Sequence, residues 1–278
     1  MSMRWHDLLF LHWPIEPIAI QALLPHGLLV DTFDGQAWIG IVPFTMSGIR
    51  PRGAPAIPGL SAFAELNVRT YVTPAPGLVI PGRGRAVGVQ TAPGVWFFSL
   101  DAASRIAVRV ARTLFHLNYR DAHMSSRAGR DGWIAYASRR LGRGEPVARF
   151  EAHYRGVGDA QPSRAGTIEH FLTDRYWLYA ADRRGAIYAG RVWHEPWRLS
   201  TAESDVRTNT MASACGVMLP STEPLKHFAR YLHVDAALPR RLAQSAYSPR
   251  PASAGVRLAG PSGLSAVPFW HGRAPRPA

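Results

Sequence analysis

Residues 63–71 read Phe-Ala-Glu-Leu-Asn-Val-Arg-Thr-Tyr, and their strict two-residue alternation divides them into two unlike sets. Ala64, Leu66, Val68, Thr70 and, just beyond, Val72 point one way and read as a core face. Phe63, Glu65, Asn67, Arg69 and Tyr71 point the other way. An acid, an amide, a base and a phenol at every second position, preceded by an aromatic ring, have the chemistry to orient a small polar molecule and move its protons. The same alternation also describes a strand whose second face meets water. Which of the two holds decides what the protein does.

Working outward, the 278 residues are 47% apolar, enough for one large core. Gly and Pro are abundant (25 and 23), and the apolar runs are short, which points to an α+β protein that is mostly β with a few helices. One domain is expected over residues 1–242. Residues 243–278, rich in Pro, Gly, Ala and Arg, hold too few large apolar side chains to fold alone and are expected to form a disordered tail.

The formal charge is +13, yet Lys226 is the only lysine, so 31 of the 32 basic residues are arginine. They are scattered, with no recognition helix and no aromatic-interleaved basic motif, so no nucleic-acid partner is expected. The single cysteine, Cys215, excludes an intramolecular disulfide and a cysteine-based zinc site, and its apolar neighbours point to a buried, inert thiol. His12, Pro14 and Glu16 interrupt the first apolar run, and no later run reaches the ~18 residues of a membrane span. A cytoplasmic protein without a membrane partner is expected.

Along the chain, residues 5–13 read as a strand with His6, Leu8, Phe10 and His12 on one face, ended by Pro14. A short helix follows with a stripe of Ile18, Ala22 and Leu23. Asp34-Gly35 signals a hairpin between 28–33 and 36–44. Residues 47–61 are rich in Pro and Gly and read as a loop, with Arg50 and Arg52 as a solvated pair. Residues 94–100 form a buried strand, Asp101 caps a helix, and Ala102, Ile106, Val110 and Leu114 form that helix's apolar stripe. Hairpin strands are expected at 133–138 and 147–154. A short helix capped by Thr167 should run into a strand, followed by another strand at 185–194 and a last core strand within 205–219.

Other chemistries find no support. Gly82, Gly84 and Gly88 miss the dinucleotide-binding spacing and follow Pro81 where a strand end is required. There is no Gly-x-Ser-x-Gly elbow, and no pair among the eleven histidines has metal-site spacing. No metal and no cofactor are expected. His194, at a strand end, is a candidate for the mouth of a pocket, although a lone histidine also serves structural roles.

Six segments in order, WHDLLFLHWP, LLPHGLLVDTFDGQAWIGIVPF, FAELNVRTYV, GVWFFSLDAAS, FLTDRYWLYA and HEPWRL, resemble the YqjF-like family of uncharacterised proteins within the acetoacetate decarboxylase-like superfamily. The resemblance covers residues 3–240. It implies a strongly curved sheet closed into a cone-like barrel with a few helices outside and a small-molecule cavity inside. The decarboxylases of that superfamily form a Schiff base on a lysine. The matching positions here, Leu117 and Asn118, carry no amine, and Lys226 lies in an unrelated segment. Glu65 falls where the superfamily places an active-site glutamate, whereas its early-strand arginine is replaced near His6.

The reading that follows is a small-molecule pocket protein without Schiff-base chemistry. Glu65 would be the acid or base and Arg69 the clamp for an anionic group. Phe63, Asn67, Tyr71, His6, Asn118 and His194 would contact the ligand. A non-catalytic ligand-binding barrel, and a Glu65–Arg69 ion pair that merely props the sheet, stay open, as does self-association into a homo-oligomer.

Overall fold

The computed structural model describes residues 1–51, 62–80, 87–88, 92–142 and 144–244. In chain order the elements are β1 (Ser2–Ile15), α1 (Pro17–Gln21), β2 (Leu28–Val30), β3 (Ala37–Arg50), β4 (Phe63–Pro74), β5 (Leu78–Ile80), β6 (Val87–Gly88), β7 (Gly94–Ala102), α2 (Arg105–Phe115), β8 (Tyr119–Ala128), β9 (Ile134–Arg140), β10 (Arg149–Pro162), α3 (Ile168–Thr173), β11 (Trp177–Ala181), β12 (Ile187–Trp193), β13 (Arg198–Asn209), β14 (Leu225–Ala236), β15 (Arg240–Arg241) and β16 (Ala243–Gln244). The expected mostly-β character holds.

Hydrogen-bonded neighbours run β15-β12-β11-β7-β8-β9-β10-β13-β14-β1-β3-β4-β2, and two further pairings, β12 with β14 and β7 with β4, cross-link this ribbon. The cross-links close rings. One ring of 9 strands comprises β1, β3, β4, β7, β8, β9, β10, β13 and β14. A smaller ring comprises β1, β3, β4, β7, β11, β12 and β14. The strands β14, β1, β3, β4 and β7 belong to both.

A strand shared by two rings has two faces to bury, and β4 does so. Ala64, Leu66 and Val68 join a cluster with Leu9, Leu11, Ile39, Ile41, Tyr136 and Phe150. Tyr71 joins another with Leu8, Phe10, Phe44, Trp197 and Val234, against which Phe63 also packs. Glu65, Asn67, Arg69 and Tyr71 are only 3%, 5%, 7% and 0% exposed. The second face of FAELNVRTY is therefore not a solvent face.

Several local expectations are corrected. Pro14 does not end β1, because the strand runs on to Ile15. Pairing with β14 stops at His12, so Pro14 meets only β3, opposite Trp38, and its missing amide disturbs no second ladder. Within β1, Asp7 adopts φ 53°, and the register against β3 slips by one residue between His6 and Leu11. The slip puts Met3 and Trp5, rather than His6, on the side of Leu8 and Phe10.

The helix α1 is a single turn, too short for a stripe; Ile20 is its buried residue and Ile18 is 81% exposed. Asp34 and Gly35 both have positive φ, as a tight hairpin turn requires, but only a Phe33–Gln36 bridge closes on it, and β2 pairs with β4 instead. Asp101 does not cap α2. It is the penultimate residue of β7 and fully buried, receiving Arg140 Nε at 3.0 Å and Nη2 at 2.8 Å, while Ser104 Oγ accepts the Ala107 amide. Val108, packed with Ala111, and Phe115 are buried in α2, whereas Ile106 and Leu114 are half exposed.

Thr167 caps α3 as expected, through the His170 amide. The last strands fall at 198–209 and 225–236, with a short 3-10 turn (Ser213–Cys215) between them. Ala243–Gln244 pairs with β5, beyond the expected boundary at 242; residues 245–278 and the loop carrying Arg52 lie outside the described residues. Arg50 ends β3. No helix among the described residues is long and apolar enough to cross a membrane.

Candidate functional site

Two polar centres are strung along the buried face of β4. At the first, Glu65 Oε2 accepts the Tyr119 hydroxyl at 2.9 Å, and the Glu65 carbonyl accepts the Tyr136 hydroxyl at 2.7 Å. β7 presents Leu100 and Ala102 beside them. Burial pushes the Glu65 carboxyl up to about 8, with the Tyr119 hydrogen bond opposing the rise and the nearby Asp101 charge adding to it. At neutral pH Glu65 is therefore mostly a carboxylic acid. Tyr119 is itself pushed well above the ordinary phenol range by burial and by Glu65.

The second centre lies four to six residues along β4. Arg69 Nη2 donates to the Leu172 carbonyl at 3.0 Å, and Tyr71 Oη donates to the same oxygen at 2.7 Å. That oxygen projects from the last turn of α3, where helix carbonyls lack intrahelical partners. His12 Nε2 lies 2.7 Å from Tyr71 Oη. The Arg69 guanidinium sits 5.4 Å from the centre of the Phe10 ring and 5.8 Å from that of Tyr71. Arg175, paired with Asp31 at 2.7 Å, stacks over Phe171 and lies 5.1 Å from the centre of the Tyr71 ring.

No carboxylate among the described residues pairs with Arg69, so the expected alternative of a Glu65–Arg69 prop is not formed. Arg69 Nε, Asn67 Oδ1 and His12 Nδ1 are buried with no partner. Nε and Nη2 form the side-on edge of the guanidinium fork. One of its two positions is filled by a neutral carbonyl, and the other is unfilled.

The remaining candidates lie elsewhere. His6 sits across the slip in β1, bonded to Ser47 Oγ at 2.7 Å and beside Tyr231, so it does not share the face of Phe10 and His12. Asn118 is exposed, donates to the Phe98 carbonyl at 2.9 Å, and lines a small concavity of about 70 Å³ with Trp96, Phe97, His116 and Tyr179. His194 stacks on Tyr176 and lies 5.7 Å from Trp197, with its Nε2 3.3 Å from the Arg175 carbonyl; it braces the segment that carries Arg175. A larger open concavity of about 560 Å³, bounded by Arg127, Trp133, His153 and Asp205 among others, is separate from the β4 wall. Cys215 sits 3.6 Å from Ser99 Oγ, and burial raises its thiol. No cluster of metal-ligating side chains occurs among the described residues.

Sequence reasoning missed Tyr119, Tyr136 and the Leu172 carbonyl, and placed no function on His12. For His12 a signal existed, since it shares the alternation of Phe10. Tyr119 and Tyr136 are brought to Glu65 from β8 and β9, and nothing local to either residue announces it.

A family model described as "Uncharacterized conserved protein", DUF2071, matches residues 2–233. "Uncharacterized protein YqjF" of Bacillus subtilis (strain 168) is 40% identical over 230 residues, covering 83% of this chain and 87% of that protein. Among solved structures, the enduracididine biosynthesis enzyme MppR complexed with pyruvate aligns with a TM-score of 0.59 at 14% identity, covering 88% of this chain and 91% of that one. An acetoacetate decarboxylase-like enzyme from Sphingomonas wittichii RW1 aligns with a TM-score of 0.57 at 13% identity, covering 87% and 92%. Acetoacetate decarboxylase from Legionella pneumophila gives 0.52 at 10%, covering 88% of each chain. These similarities establish the fold.

Proposed function

The chain belongs to the uncharacterised family that includes YqjF, and from that premise we propose that it takes a small carboxylate- or carbonyl-bearing metabolite at the β4 wall and acts on it by proton transfer, without an imine. The observation that carries this reading is the buried Arg69, a permanent cation with no anionic partner among the described residues and a half-filled fork. An uncompensated buried charge is costly, and a ligand carboxylate across Nε and Nη2 compensates it. The carboxylate replaces the Leu172 carbonyl at Nη2, so α3 shifts to admit it.

Glu65, protonated near neutrality, supplies an acid on the same face, and as the carboxylate it supplies a base. Lys226 is unsuited to imine chemistry at this wall. It opposes Leu11, whose side chain belongs to the cluster on the other face of the shared strands, and it is ion-paired with Glu223 at 2.6 Å. Pyruvate bound to MppR, a protein of the same fold, supports small oxo and hydroxy acids as the class to test.

A thermal-shift panel of small oxo, hydroxy and aromatic acids tests the reading. A ligand at about 100 times its Kd adds about 2.7 kcal/mol of apparent stability to the wild type. Arg69→Met is expected to lose the shift. Glu65→Gln is expected to keep it while losing conversion of the bound compound, followed by NMR. Retained conversion in Glu65→Gln would leave a pocket in which Glu65 is not the proton carrier, and a wild type that no acid stabilises would end the proposal.

A further inference from the structure

The face that carries Arg69 also carries an imidazole whose chemistry the reading above does not use. His12 is completely buried. Tyr71 has one hydroxyl proton and gives it to the Leu172 carbonyl at 2.7 Å, so toward His12 the hydroxyl can only accept. His12 must therefore carry its proton on Nε2, and Nδ1 is left as a bare lone pair. Burial, with the charges of Arg69 and His227 nearby, disfavours protonation of the ring.

Nδ1 is thus an acceptor without a donor, as is Asn67 Oδ1, two residues before Arg69 on β4. Arg69 and His12 lie side by side over Gly40, where a Cβ would stand 2.8 Å from His12 Nε2 and 3.4 Å from Arg69 Cγ. Their relation is held by packing. Arg69 Nε–H is an unfilled donor, and His12 Nδ1 and Asn67 Oδ1 are unfilled acceptors; the Trp38 and Trp197 indole N–H groups, in the cluster of Phe10 and Tyr71, and His227 Nδ1 also lack partners.

Resting on the anion site proposed above, we infer that the ligand bears a hydroxyl beside its carboxylate, so that the site selects a small hydroxy acid over the corresponding oxo acid. The carboxylate enters the Arg69 fork in place of the Leu172 carbonyl and accepts the Tyr71 hydroxyl proton as that carbonyl did, so His12 keeps its proton on Nε2 and the ligand hydroxyl donates to Nδ1. An oxo acid brings no proton to that nitrogen and sets a second lone pair against it. The acid lacking the oxygen leaves Nδ1 as bare as before. A site built to bond a hydroxyl discriminates strongly against an analogue without one, because its own buried group is then left unpaired.

The experiment is calorimetric titration of the full chain with two matched series: lactate, pyruvate and propionate, and 3-hydroxybutyrate, acetoacetate and butyrate. The expected result is that in at least one series the hydroxy acid binds about tenfold or more tighter than both companions. His12→Gln, which keeps a donor for Tyr71 but removes the acceptor at Nδ1, should erase that preference. His12→Asn, whose Oδ1 falls near the Nδ1 position, should restore part of it. Because either variant can fold poorly, histidine-labelled wild-type protein supplies a second readout: the hydroxy acid should move one unprotonated Nδ1 resonance upfield, and the oxo acid should not. If all three acids of each series bind within a factor of about two and Arg69→Met abolishes every one, the anion site stands and the hydroxyl inference falls. If none binds, both fall.

Discussion

Glu65 shows how far one residue's chemistry depends on its surroundings. Its carboxyl is raised from an ordinary 4.5 to about 8, first by burial. The folded protein holds this proton while the unfolded chain releases it, so between about 4.5 and 8 the unfolded state binds fewer protons and stability falls as pH rises. Each unit of that window costs about 1.4 kcal/mol. Glu65→Gln removes the dependence. Its unfolding free energy, measured in urea from pH 5 to pH 8.5, should decline less steeply than that of the wild type, with the difference widening toward pH 8. Parallel pH profiles for the two proteins would show that Glu65 is solvated. The contrast with Arg69 is instructive: the two side chains share a face, yet the Arg69 charge bears on His12 and Tyr71, and it is Asp101 that raises Glu65 further.

At the scale of elements, the site depends on where strands approach closely and where they slip. The slip in β1 around Asp7 is anchored by Tyr154 Oη on the Asp7 carbonyl at 2.9 Å and by Arg230, and it delivers Phe10 and His12 rather than His6 to the Arg69 face. Gly94 opens β7 where it runs parallel to β11. A Cβ there would lie 2.5 Å from the Trp177 carbonyl and 2.8 Å from the Tyr179 ring. Gly94→Ala must push β11 away from β7, one of the pairings that make up the smaller ring. We expect a loss of about 1–3 kcal/mol in urea denaturation, typical of overpacking. A change under about 0.5 kcal/mol would mean that the two strands are held less closely than this geometry indicates.

For the molecule as a whole, the shared wall of β14, β1, β3, β4 and β7 is the stiffest part, because its central strands pair on both edges and bury both faces. Amides of β1, β3 and β4 should therefore exchange with deuterium only through global unfolding, while those of the two-residue strands β15 and β16 exchange through local opening. Exchange of β1 as fast as that of β15 would contradict the two-ring description. The anion site proposed on this wall would be a rigid receptor, with α3 the element that shifts to admit the ligand.

The alternation of FAELNVRTY determined that acid, amide, base and phenol share one side, and the abundance of Gly, Pro and short apolar runs determined a mostly-β chain, because a strand's side chains alternate whatever it pairs with. The Thr167 cap and the helix-to-strand order after it were legible for the same reason, since both signals are local, whereas the cap expected from Asp101 was not formed. What only the tertiary structure decided was whether the second face of β4 meets water, which follows from its membership of two rings. The tertiary structure also decided which side His6 and His12 take, through a slip set by the partner strand rather than by β1's own residues. The meeting of Tyr119 with Glu65 and of the Leu172 carbonyl with Arg69 belongs there too. Each joins residues more than fifty positions apart, a relation fixed by ring closure and invisible to any pattern of near neighbours.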